Sequence, residues 1–192
     1  MKMKSNGWNL IWNPFTRVAG WQAFWVGIVI VVVSALLAGY GNLLFDGAID
    51  AHFGDKVGID MSLLVTGISL FSVVLAMYVA ALIISKSVRF IDILGTMTLA
   101  RAPFLLLAII SPFVSFPAVD QLLQNPMVIL NYPLFLLFGI ISLPIIIWYI
   151  ALMYNGFKVS TGAKGTKLVL GFIVALLAAE VVSKVCIHFL PL

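Results

Sequence analysis

Charge is what this sequence has least of. Of 192 residues only 9% are Asp, Glu, Lys or Arg, against about 25% in an ordinary soluble domain. At the same time 63% are hydrophobic and the mean hydropathy is +1.18, which excludes a water-soluble globule. Cysteine occurs once, at Cys186, so neither an internal disulfide nor a paired-thiol metal motif can form. Histidine occurs only at His52 and His188, and glutamate only at Glu180. No HExxH, GxSxG, Walker loop or CxxC is present. Every aspartate falls in an expected loop, so the paired intramembrane carboxylates of an aspartyl protease are missing too. These residues build no catalytic set, metal site or cofactor site, and the reading is of a protein that is not an enzyme.

What the sequence does have is long apolar runs. They predict an all-α polytopic transmembrane bundle forming a single membrane domain, with spans near 22–40, 62–84, 102–118, 128–154 and 167–188, each near the ~20 residues that cross a bilayer. The stretch 131–167 sets the orientation. Its uncharged run closes on Trp148, Tyr149 and Tyr154, suited to the headgroup zone, and then on Lys158, Lys164 and Lys167, suited to the cytoplasmic side. Lys2, Lys4, Arg17, Lys86, Arg89 and Arg101 join them under an N-in, C-out arrangement, so nine of the eleven basic residues lie inside. A net charge of +4 is accounted for by that insertion rule, and no nucleic-acid partner is implied.

The N-terminal residues 1–21 read as cytoplasmic or interfacial. Trp8, Ile11, Trp12, Phe15, Val18 and Ala19 fall near one helical face, with Asn13 and Pro14 able to restart a helix as cap and first residue, although headgroup anchoring alone also explains the aromatics. The first apolar run starts too late and runs too long for a cleaved signal peptide, so it reads as a retained anchor.

The loop after the first span holds Asp46, Asp50, Asp55 and Asp60 against Lys56, and is expected to be exported and solvated. Asp50, His52 and Asp55 are possible metal ligands, but their spacing matches no metal motif. An amphipathic cytoplasmic helix over 89–99, with an Arg89–Asp92 pair, is expected before a short third span. Pro112 would remove the hydrogen bond to the Ala108 carbonyl and bend that span, and Pro144 would do the same to Ile140 in the fourth.

Glu180 is the most informative polar residue, because a carboxylate inside a span costs about 2.5–3.5 kcal/mol on insertion scales. Lys184 follows one turn later and is expected to pair with it. Gly171, Ala175, Ala179 and Ser183 place a small residue at every fourth position, a stripe that lets another helix approach closely. Two readings stay open for Glu180: a paired structural charge, or part of a polar pathway in a small transporter or channel subunit.

Tyr132-Pro133, Trp148, Leu152, Tyr154, Gly156, Phe157, Lys158 and Thr161-Gly162 before a last apolar span resemble the C-terminal half of bacterial Yip1-family proteins. Leu99-Ala100-Arg101-Ala102-Pro103 is similar to that family's third span, and Asn13-Pro14 suits its N-terminal side. The resemblance implies five spans with the N-terminus inside. It implies a non-enzymatic role in organising or shaping the bilayer or in scaffolding, with lipid, other membrane proteins or a second copy as partners. Eukaryotic members carry a longer polar N-terminal region and act with Rab GTPases in vesicle traffic. No such region stands here, so the resemblance implies a bacterial plasma membrane.

Overall fold

The computed structural model describes residues 7–54, 57–117 and 119–189. Lys2, Lys4, Asp55 and Lys56 lie outside them, as do the side chains of Trp8 and Val119. Helix α1 (Gly7–Trp12) and a 3-10 turn (Pro14–Thr16) precede α2 (Gly20–Tyr40). A loop carrying the antiparallel strands β1 (Leu43–Leu44) and β2 (His52–Phe53) leads to α3 (Ile59–Ile84). Next come α4 (Phe90–Ala100) and α5 (Phe104–Ile110), the latter continued by a 3-10 turn (Ser111–Phe113). Then α6 (Val119–Gln124) and a 3-10 segment (Pro126–Asn131) precede α7 (Pro133–Thr161) and α8 (Gly165–His188).

Five helical stretches are long and apolar enough to cross a membrane: Gly20–Tyr40, Ile59–Ile84, Phe90–Phe113, Pro133–Thr161 and Gly165–His188. The protein is an all-α, multi-pass membrane protein. Helices are the form such runs take, because a bilayer offers no water to backbone N–H and C=O groups and a helix satisfies them within one segment. The helix ends carry their expected punctuation. Pro14 and Pro133 occupy first-turn positions where no N–H is needed, and Gly162, at φ 63°, caps α7 in the left-handed region, donating its N–H to Lys158 O at 3.0 Å. Alternating crossings put Arg17, Lys86, Arg89, Lys158, Lys164 and Lys167 at one end, the basic end, and the β-hairpin and the 114–132 connection at the other.

The third crossing differs from expectation. Instead of a cytoplasmic helix over 89–99 and a span over 102–118, α4 and α5 form one crossing from Phe90 to Phe113, interrupted by a turn at 101–103. Ile93, Met97 and Ala100 of α4 are fully buried. The reason is close packing on α2: a Cβ built on Gly27 would lie 2.6 Å from Leu99 N, and one on Gly95 would strike the Gly20 carbonyl. Only glycine lets these backbones meet. Arg101 therefore leaves the cytoplasmic group and sits inside the span, 2% exposed.

Pro112 acts as expected. It cannot donate to Ala108 O, and the Ser111 hydroxyl donates there instead at 3.0 Å while the helix tightens into its 3-10 turn. Pro144 lies inside α7, which continues through it. The Arg89–Asp92 pair forms, at 2.8 and 3.1 Å, on the exposed side of the bundle's basic end.

On α8 the small-residue stripe lies in the contact with α3. Ala175, Ala179 and Ser183 are buried, and a Cβ on Gly171 would meet Ile84 at 3.3 Å. The N-terminal segment does more than anchor. Trp148 Nε1 donates to Ile11 O and Asn155 Nδ2 to Trp12 O, each at 2.9 Å, while Phe15 is buried beside Gly156. Tyr149, expected in the headgroup zone, is fully buried, while Tyr154 packs edge-on against Phe172.

Candidate functional site

The loop expected to be exported and solvated turns inward. From Leu43 to Ala48 every residue is buried, with Phe45 stacked on Phe104 at 4.9 Å between ring centroids. Tyr149 lies sixteen residues into α7, about 24 Å along the helix at 1.5 Å per residue, and its hydroxyl donates to Ala48 O at 2.8 Å. The loop thus reaches well below the bundle's outer end.

Irregular backbone at such depth needs partners from the surrounding helices, and α3, α7 and α8 supply them, with Arg101 behind the α3 contact. Ser69 of α3 donates to Gly47 O, and Arg101 Nη2 donates to Ser69 Oγ at 2.6 Å. Tyr149 of α7 takes Ala48 O. Glu180 of α8 accepts from Ile49 N–H at 3.2 Å, with its carboxylate lying against Gly47. A Cβ at Gly47 would fall 2.5 Å from Glu180 Oε1, so this residue has no room for a side chain.

Above this layer sits a charged cluster. Asp46, 4% exposed, receives Lys184 Nζ at 2.6 Å and His52 Nδ1 at 3.0 Å, both on Oδ2. Lys184 also reaches Asp50 at 2.8 Å. The expected Glu180–Lys184 pair is thereby corrected. Lys184 turns outward to two loop aspartates and Glu180 turns inward to the loop backbone, because each finds a better partner there than the other offers across one exposed helical turn.

Burial opposes the charge on Asp46, but hydrogen bonds from His52 and Lys184 outweigh it and hold the carboxyl below its ordinary range. The Asp46 hydrogen bond, working against partial burial, raises the His52 imidazole above its usual range. Lys184 and His52 thus face Asp46 and Asp50, while Arg101 and Glu180 are each held by a hydrogen bond to a neutral partner.

Of the possible ligands Asp50, His52 and Asp55, the structure describes the first two. Asp55 is outside the described residues, His52 is engaged by Asp46, and no group of three metal-binding side chains occurs among the described residues. The basic loop residues Lys86, Arg89, Lys158, Lys164 and Lys167 are exposed at the basic end, remote from this network. Asp46, Ser69, Arg101 and Tyr149 belong to the site although only Arg101 and Tyr149 stood out in the sequence, and both for other reasons.

Beside the hairpin a second feature opens sideways. Between Pro133 and Pro144 only Phe138 of α7 is buried, whereas from Ile145 onward α7 buries Ile145, Tyr149, Leu152, Met153, Gly156 and Phe157. The outer half of α7 therefore meets the bundle mainly through Phe135, Phe138 and Ile141. It leaves a cleft of about 480 Å³ lined chiefly by Phe53, Phe116, Ile129, Phe135 and Phe138, with His52 and Ser142 as its polar groups.

Together the features make a multi-pass bundle whose polar residues at membrane depth clasp one inward-turning loop, with an aromatic cleft beside it. No family profile matches this chain, and neither a curated protein nor a solved structure matches it significantly.

Proposed function

We propose that this protein is a non-enzymatic, Yip1-type organiser of membranes, shaping the bilayer or scaffolding other membrane proteins, in a bacterial plasma membrane. The observation that carries this reading is the exposed apolar outer half of α7. Leu134, Leu137, Ile140 and Leu143 present an apolar face, and the aromatic cleft lies beside it. Such a face suits packing against lipid or against another span. The polar residues at depth support the same reading, since Ser69, Tyr149, Glu180 and Lys184 each hold the loop or one another. Five crossings are also the number that the family resemblance implies.

The competing function is transport through a polar pathway that uses Glu180. Purified protein in liposomes separates the two. The organiser reading expects Ile140→Cys, in a Cys186→Ala background, to cross-link to a neighbouring span in native membranes, and expects no ion or proton flux above empty liposomes. A flux that Glu180→Gln abolishes, with expression and oligomeric state unchanged, would overturn it.

A further inference from the structure

We propose that the cavity around Arg101 is a binding site for one monatomic anion, of which chloride is the common example. The guanidinium is 2% exposed in the middle of the third crossing. Nη2 is engaged by Ser69, but Nε and Nη1 are buried without an acceptor, and so is Thr66 Oγ1. Arg101 and Thr66 line one small cavity of about 10 Å³ together with Val31, Ser34, Phe45 and Phe104, a space on the scale of one water-sized occupant. Three orphaned polar atoms from α3 and the break in the third crossing thus converge on one small space.

Charge selects the occupant. Arginine has only donors and does not deprotonate in proteins, so it cannot escape burial by losing its proton. Among the described residues no carboxylate lies within ion-pair distance of it: Asp92 is taken by Arg89, Asp46 by Lys184 and His52, and Glu180 bonds to the Ile49 N–H. Near it also lie the Phe104 ring, 6.0 Å from Cζ, and the Tyr149 phenol, a neutral group whose oxygen faces the guanidinium while its proton goes to Ala48 O. A water would satisfy hydrogen bonds and leave the cation unbalanced. An anion accepts from Nε, Nη1 and Thr66 Oγ1 and cancels the charge. By joining Arg101, Ser69 and the loop's Gly47, the occupied site would hold the inward-turning loop in place.

The test uses the purified full chain in detergent, with chloride replaced stepwise by gluconate at constant ionic strength. Thermal stability should rise saturably with chloride and with bromide. Thr66→Val, which keeps the guanidinium, should raise the chloride concentration for half the effect by about tenfold, the value of one charged hydrogen bond, and Arg101→Gln should abolish the effect. Crystals grown in bromide should show anomalous scattering in the cavity. Equal stability in chloride and gluconate, an unchanged half-point in Thr66→Val, or a water in the cavity where bromide was offered would each overturn the proposal. If Arg101→Gln fails to fold, the Thr66→Val titration and the bromide signal decide alone.

Discussion

Asp46 holds Lys184 and His52 on one carboxylate oxygen while almost wholly buried, so its neighbours depend on it and it depends on them. Removing Asp46 leaves Lys184 its bond to Asp50 and His52 half-exposed, so the cost is set by the lost charged hydrogen bonds, about 1.5–3 kcal/mol. Asp46→Asn is expected to lower thermal stability by an amount at that scale, whereas Arg89→Gln at the exposed Arg89–Asp92 pair should change it little. Differential scanning fluorimetry in detergent reads both.

The same cluster sets a pH dependence. The raised His52 contributes stability that is full below its unfolded value, about 6.5, and is lost as pH rises through the higher folded value. The lowered Asp46 contributes stability present above its unfolded value, about 3.9, and lost only as pH falls through the depressed one. The melting temperature should therefore hold steady in mild acid and decline as pH is raised from neutral. His52→Gln should flatten that decline, and an unaltered profile in this variant would place the titration elsewhere. Asp46 was visible in the sequence as one of several loop acids, and nothing local distinguished it from Asp50 or Asp60. Its partner His52 is six residues on, across a hairpin, and Lys184 is 138 residues on, so only folding brings them together.

At the scale of elements, glycine decides which helices touch. Gly27 lets α2 meet the backbone of α4 at Leu99, and this contact draws α4 into the bundle rather than leaving it on the cytoplasmic surface. Gly27→Leu is expected to abolish the monodisperse peak in fluorescence-detected size-exclusion chromatography, while Gly139→Leu, on a face with open space beside it, should leave the peak intact. The spans themselves were legible because about twenty apolar residues are sufficient to define a crossing. The third was misjudged by reading Arg101 as a loop residue, although the remaining run of 102–118 was short for a span. An arginine at membrane depth is expensive, and the sequence does not announce the cavity, the serine and the phenylalanine ring that surround it. The hydrogen bond lost at Pro112 was legible, since the missing N–H is a covalent fact, whereas the Ser111 hydroxyl that takes up the Ala108 carbonyl was not.

At the scale of the whole molecule, alternating crossings put the basic end and the hairpin on opposite faces. Single cysteines at Asp120 and Lys164, introduced after Cys186→Ala, should label from opposite sides of sealed membranes with an impermeant maleimide. Labelling of both from one side would require a crossing to be lost. A cysteine at Arg101 should resist the reagent from either side, which separates the observed third crossing from one that starts at residue 102.

Class and span number follow from composition and run length, because the cost of placing charge or unpaired backbone in hydrocarbon acts on each segment separately. The small-residue stripe of α8 and the Arg89–Asp92 pair belong with them, since both depend on spacing within one helix. The inward turn of the loop, the exchange of Glu180–Lys184 for bonds to Ile49, Asp46 and Asp50, and the burial of Arg101 and Tyr149 arise from contacts between segments far apart in the chain. A polar group at membrane depth is satisfied by whichever partner packing brings within reach, and that partner is set by how the helices stack, not by the residues beside it in sequence.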